Sequence, residues 1–250
     1  METNRQAAPD AAAIPGLHDA RWQNLAGCDG ADITLRLIDF DVERFDAQAF
    51  ATAGIALPPR IARSVHKRQA EFFFGRLAAR QALQALGSAA AALEIGIGSG
   101  REPLWPRGFV GSIAHDRRYA AAALDRDTQR RGIGIDIERV VDPELGAALR
   151  QTVVSSDELR RLQAADSGWP AAALMTLAFS AKESFFKGVF GVVREVFDFD
   201  AAEVIAFDPT AARLQLRLRR DLPGGLAAQQ EFALGYAFVD ASTLVTHFAW

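Results

Sequence analysis

The stretch from Arg131 to Arg139, RGIGIDIER, constrains this chain more than any other. Ile133, Ile135 and Ile137 alternate with Gly134, Asp136 and Glu138, the period-2 pattern of a strand with one apolar and one acidic face. Both carboxylates then project from the same side. Like charges so close repel each other, so a cation belongs between them, and a hard divalent ion with oxygen ligands fits that role. The competing reading is the solvated polar face of an edge strand, and spacing alone does not separate the two.

At 250 residues the chain can bury a sizeable core as one large domain or two lobes sharing an interface. Its formal charge of -3 argues against bulk attraction to nucleic acid, although local basic clusters can still bind phosphates. A single cysteine, Cys28, excludes an intrachain disulfide framework and fits a reducing compartment. The N-terminus has no apolar core of signal-peptide length and no run long enough for a membrane span, so a cytoplasmic protein is expected, without membrane or nucleic-acid partners.

Residues 1–29 are rich in Ala, Pro and Gly without a period and read as a poorly ordered leader. Ile33 to Phe40 alternates as a first strand. From Pro59 to Leu86 the apolar residues recur at helical spacing, with Gly87 as the stop. This segment carries Arg60, Arg63, Lys67, Arg68, Arg76 and Arg80, enough positive charge in an acidic protein to form a local anion site, although a solvated helix face is the ordinary alternative. The glycines from Gly96 to Gly100 lack the spacing of a dinucleotide-binding loop and read as a turn between strands. Phe109 to Leu124 returns to strand character, with His115 just after SIA.

Beyond the acidic strand, Asp142-Pro143 breaks the chain and Glu144 to Ala164 reads as helix, interrupted around Val153 to Ser156. Ala171 to Phe190 reads as a long helix, and the capping-box spacing of Ser180 and Glu183 leaves open a helix start inside it. On either reading Glu183 and Lys187 are i, i+4 neighbours, at minimum a surface ion pair. From Phe197 to Trp250, LQLRLR, EFALGYAFV and LVTHFAW read as a closing sheet.

In order and spacing, SVHKRQAEFFFGRLAAR (Ser64–Arg80), REPLWPRGFVGSIAH (Arg101–His115), GIGIDIE (Gly132–Glu138) and FSAKESFFK (Phe179–Lys187) resemble the 4′-phosphopantetheinyl transferases, in their larger monomeric class. The resemblance spans about Arg60 to Phe190. It implies an α+β fold of two similar α/β lobes related by pseudo-twofold symmetry, with coenzyme A in the cleft between them. A leader over 1–29, an N-terminal lobe over 30–130 and a C-terminal lobe over 131–250 carrying the metal site are the expected domains.

The activity implied is transfer of the phosphopantetheine arm of coenzyme A to a serine hydroxyl of an apo carrier protein, releasing adenosine 3′,5′-bisphosphate. The carrier would belong to siderophore or other peptide synthetases, polyketide synthases or fatty-acid synthesis. By the same resemblance Asp136, Glu138 and Glu183 would hold Mg2+, and Lys187 and Lys182 would reach the pyrophosphate. The base for the serine proton would be Glu183 or a metal-bound water. Arg68, Arg76, Arg101 and His115 would bind coenzyme A. Two departures stand out: relatives often carry a lysine where this chain has Ile97, and Ser or Thr where it has Ala114. The competing functions are a Mg2+-dependent hydrolase of coenzyme A or a related nucleotide pyrophosphate, in which water replaces the serine, and a non-catalytic carrier-binding module that kept the fold.

Overall fold

The computed structural model describes residues 14–87, 94–140, 153–165 and 168–250. The first half runs β1 (Leu17–Leu25), β2 (Ile33–Phe40), α1 (Ala49–Ala53), α2 (Pro59–Ala62), α3 (His66–Ala85), β3 (Gly96–Ile97), β4 (Pro103–Leu104), β5 (Phe109–His115) and β6 (Tyr119–Arg126). The second runs β7 (Ile133–Arg139), α4 (Ser156–Ala164), α5 (Ala171–Val193), β8 (Ala202–Asp208), β9 (Arg213–Leu218), β10 (Glu231–Phe238) and β11 (Thr243–Ala249). One antiparallel sheet has the order β1-β2-β6-β5 and the other β7-β11-β10-β9-β8, so each half lays one long helix on an antiparallel sheet. This is an α+β fold.

The strand period decides which residues meet. In β2 and β6, Ile38, Phe40, Ala120 and Ala122 face α3, where Phe73, Phe74 and Leu77 complete an apolar core. Their neighbours Leu35, Leu37, Ala121 and Ala123 face the other way, onto Ile133, Ile135 and Ile137 of β7 and Val245 of β11. The three isoleucines thus bind the two sheets face to face. Side chains alternate across a strand, so Gly134 and Asp136 are turned the other way, toward α5.

That second face decides between the two sequence readings. It is not a solvated acidic edge: Asp136 is 5% exposed, because α5 lies directly against β7. The glycines permit the approach. A Cβ on Gly134 would overlap the carbonyl oxygen of Ser184, and one on Gly132 would overlap that of Gly188. Glycines at 132 and 134 therefore bring the helix down to the backbone of the strand that carries the acids.

Part of the stretch expected as leader is strand instead. Residues 17–25 form β1, paired with β2 from Leu17↔Phe40 to Leu25↔Ile33. As an edge strand it buries only Leu25 completely, so its sequence carries little alternation, and Trp22 stays exposed with the Arg36 guanidinium 5.0 Å from its ring. The helix expected over Pro59–Leu86 is broken at Arg63–Val65, where Ser64 Oγ donates to Arg60 O and Gln69 Nε2 donates to the carbonyls of Ala62 and Ser64. Gly87 ends it as expected, at φ 68°.

The capping-box alternative at Ser180 is decided against, because α5 is continuous through it and Ser180 Oγ meets Thr246 Oγ1 at 2.8 Å. The box forms instead at Ser155 and Glu158, starting α4. The expected chain break at Asp142-Pro143 and the helix from Glu144 to 152 lie outside the described residues. The glycine stretch makes the expected turn between β3 and β4.

Candidate active site

Asp136 and Lys187 form the centre of the site. Lys187 Nζ donates to Asp136 Oδ1 at 2.6 Å, joining α5 to β7. One cation beside the acidic strand is thus a lysine of the facing helix. Burial works against its charge, but Asp136, Glu183 and Glu138 outweigh that and raise its pKa. Glu138, further along the same face of β7, is pushed up to about 8 by burial, then by Asp136. Glu183 is raised as well, by burial and by Asp136, against the pull of Lys187. Two carboxylates, Glu138 and Glu183, that resist ionisation near Asp136 and one ammonium describe a pocket short of positive charge.

The oxygens fit a hard divalent cation in kind. Asp136 Oδ2 is buried with no hydrogen-bond partner among the described residues, a costly state for a carboxylate oxygen, and one that an oxygen-seeking ion would relieve. As the side chains stand, no group of three or more His, Cys, Asp or Glu among the described residues is gathered closely enough to hold an ion.

A cationic cleft lies alongside. Arg60, Ser64, Arg68, Arg76, Arg101 and His115 line a cavity of about 360 Å3 together with Phe72, Ile97 and Ile113. Helix α3 supplies Arg68 and Arg76 two turns apart on one face, β5 supplies His115, and the turn after β3 supplies Arg101 with φ at 70°. Arg68 Nη1 donates to His115 Nε2 at 2.7 Å, which makes Nε2 the acceptor and places the ring proton on Nδ1. Burial, Arg68 and Lys187 push the imidazole down to about 4, so it is neutral at physiological pH. Arg76 donates to Gly96 O at 3.1 Å and lies 5.0 Å over the Phe72 ring. Its Nε is buried without a partner among the described residues, and burial followed by Arg68 lowers its pKa to about 10. These guanidinium groups crowd together against their mutual repulsion, the signature of a surface built to receive an anion.

The cleft continues as far as Lys187, the partner of Asp136. A second cavity of about 280 Å3 shares Arg101, Pro103 and Ile113 with the first and reaches Lys187 and Phe186 of α5. His115 feels both Lys187 and Asp136.

The structure therefore brings together Arg68, Arg76, Arg101 and His115 in one cleft and Asp136, Glu138, Glu183 and Lys187 beside it. Lys182 does not join them, a correction to the expectation that it reaches the pyrophosphate. Its ammonium is buried on another side of α5, 2.8 Å from Glu158 Oε1, and donates to Val153 O at 2.8 Å and Phe199 O at 3.2 Å. A helix turns about 100° per residue, so Lys182 and Glu183 face different surroundings.

Sequence reasoning passed over Glu71, a buried acid of α3 with its Oε2 3.4 Å from Arg68 Nη1 and 3.7 Å from His115 Nδ1. Its place three residues after Arg68 and four after Lys67 was the available signal. Ser64 was passed over too and lines the cleft beside Arg60, which the basic cluster of the sequence already contained.

A chain that sets a basic helix and a histidine beside a carboxylate strand backed by a Lys-bearing helix matches a known family in both halves. Residues 57–125 match the 4′-phosphopantetheinyl transferase N-terminal domain, and residues 132–237 match the 4′-phosphopantetheinyl transferase superfamily. The chain belongs to the 4′-phosphopantetheinyl transferases. Among individual proteins it is similar to enterobactin synthase component D of Salmonella typhi, 37% identical over 184 residues that cover 73% of each chain. Enterobactin synthase component D of Escherichia coli K12 is 36% identical over 157 residues, 62% of this chain and 69% of that protein. The 4′-phosphopantetheinyl transferase Npt of Nocardia iowensis is 37% identical over 144 residues, 58% of this chain and 62% of its own.

Proposed function

We propose that this phosphopantetheinyl transferase takes the 4′-phosphopantetheine arm from coenzyme A, places it on a serine hydroxyl of an apo carrier protein, and releases adenosine 3′,5′-bisphosphate. The observation that carries the reading is the continuity of the cationic cleft with the Lys187–Asp136 pair. A nucleotide pyrophosphate lying in the cleft would have its phosphates beside Arg68, Arg76 and His115 and its scissile bond near Lys187.

The residues divide the work by chemistry. Guanidinium groups fork onto phosphate oxygens, and Arg68 and Arg76 are suited to the phosphates of coenzyme A, with Arg101 at the rim. Neutral His115 offers its Nδ1–H as a donor. Lys187 is held protonated and so brings a full positive charge to oxygens that gain negative charge as the pyrophosphate breaks. Glu183, a carboxylate whose pKa is raised by burial, has the chemistry to take the serine proton, the alternative being a water on the metal. Asp136, Glu138 and Glu183 would hold Mg2+, which when bound neutralises phosphate charge and fixes the orientation of the phosphates. The similarity to enterobactin synthase components supports a carrier domain of a siderophore-type peptide synthetase as acceptor.

Incubation with coenzyme A, Mg2+ and a panel of apo carriers, read by intact mass, tests the reading. A carrier that gains one phosphopantetheine arm supports it. Loss of coenzyme A without any carrier gaining mass would establish hydrolysis instead, and neither event would leave a binding module.

A further inference from the structure

We propose that Lys182 is a positioning residue for the transfer reaction. Its pairing with Glu158 inside the protein fixes the rotation of α5 and thereby aims Glu183 and Lys187 at Asp136. The proposal rests on the transferase reading above and assigns a role to a lysine that lies off the site.

The pair is closed to any ligand. Both side chains are 4% exposed. The ammonium has three N–H groups, and three acceptors surround it: Glu158 Oε1, Val153 O and Phe199 O. Glu158 is equally committed. Its Oε1 also accepts from Val204 N at 2.8 Å and its Oε2 from Ser155 N at 2.8 Å. One carboxylate thus ties the start of α4, the start of β8 and the middle of α5 into a single knot.

A second clamp grips α5 from another direction. Ser180 Oγ meets Thr246 Oγ1 at 2.8 Å, and Ser184 Oγ donates to Thr246 O at 3.0 Å. Thr246 is the cross-strand partner of Asp136 in the β7–β11 ladder. One clamp therefore registers the helix along the strand that bears Asp136, and the Lys182 knot stops the helix from rolling about that contact. Glu183 and Lys187, one turn apart, lie between the two. A buried ion pair adds little net stability over an apolar pair of similar volume, whereas it does hold its partners to one arrangement. Lys182 sits one residue from Glu183, so a roll of α5 passes directly to that carboxylate.

The test is a double-mutant cycle on the full chain with Lys182→Met, Glu158→Gln and both together. It reads unfolding midpoint, coenzyme A affinity by calorimetry, and kcat and KM on an apo carrier at a temperature where every variant is folded. The positioning role predicts that each single variant loses kcat by about 10²-fold, the scale of a misplacement near 1 Å, while coenzyme A affinity stays within about twofold. It further predicts that the double variant is no slower than the singles, because both act through one pair. Coenzyme A binding weakened by Lys182→Met but not by Glu158→Gln would overturn the proposal in favour of direct phosphate contact. Unchanged kcat in folded variants would reduce the pair to stability alone. Should Lys182→Met fail to fold, Lys182→Arg and Glu158→Asp shift the same contact with its charge kept, under the same criteria. Wild-type transfer is run alongside: its absence on every carrier counts against the transferase reading, and its presence with unaffected variants counts only against Lys182.

Discussion

Lys187 Nζ stands 2.6 Å from Asp136 Oδ1, so a helix cation and a strand acid 51 residues apart form one pair at the floor of the cleft. An ammonium there serves two partners in turn: the acid in the free protein and, on the reading above, the pyrophosphate in the complex. Lys187→Met is expected to lower kcat by about 10²–10³-fold, the loss seen when one preorganised electrostatic contact to a transition state is removed. Single-turnover mass spectrometry on an apo carrier measures it. A loss under threefold would return Lys187 to a structural ion pair.

Asp136→Ala and Glu138→Ala are each expected to abolish transfer while leaving the far-ultraviolet circular dichroism unchanged, because their side chains lie between β7 and α5 rather than in the apolar core. Near wild-type rates across a Mg2+ titration would remove both from the site.

Glu138 gives this a pH signature. Its pKa near 8 means that it is mostly protonated at pH 7, and it must lose that proton to hold a cation. Mg2+ affinity in the absence of coenzyme A should therefore rise from pH 7 to pH 9 with release of a proton, and Glu138→Gln should flatten the dependence. Calorimetry in buffers of different ionisation enthalpy decides it.

Coenzyme A should bind more tightly than dephospho-coenzyme A, and the difference should shrink in Arg68→Ala and Arg76→Ala. A charge-assisted hydrogen bond contributes about 1.5–3 kcal/mol, so roughly a tenfold loss or more is expected for each. Equal affinity of the wild type for both ligands would show that the basic face of α3 does not read that phosphate.

Gly134→Ala should separate α5 from β7. The added methyl meets backbone, which cannot swing aside as a side chain can, so a destabilisation of about 1–3 kcal/mol or more is expected together with loss of activity. Denaturant midpoints measure the first. A variant as stable as the wild type would show that the helix can retreat without cost.

His247, 3% exposed and with Nδ1 unpartnered among the described residues, should contribute to the acid sensitivity of the fold. Burial first, then Arg213 and Arg130, lower its pKa from 6.5 to about 4. The unfolded chain takes up this proton as pH falls through 6.5 and the folded chain only near 4. The contribution of the neutral ring is thus complete above pH 6.5 and is lost progressively toward 4, at up to about 1.4 kcal/mol per pH unit. His247→Leu should show a shallower decline in denaturant midpoint between pH 6.5 and 5 than the wild type. Parallel curves would refute the assignment.

The sequence by itself determined the alternation of Ile133, Ile135 and Ile137 with Gly134, Asp136 and Glu138, the basic face of α3 and the i, i+4 relation of Glu183 and Lys187. These are periodicities, and local backbone geometry converts them directly into faces. It also carried four motifs whose order identified the family. What it could not contain was the meeting of those faces. Tertiary packing decided that the acidic face of β7 lies against α5, because glycines at 132 and 134 admit a helix backbone where any Cβ would exclude it. It decided that Lys187 turns to Asp136 while Lys182, in the same motif, turns away to Glu158, since 100° of helix separates neighbours that a sequence prints side by side. And it decided that residues 17–25 form an edge strand: their pairing is main-chain hydrogen bonding to β2, which leaves little trace in side chains that are nearly all exposed or half-buried.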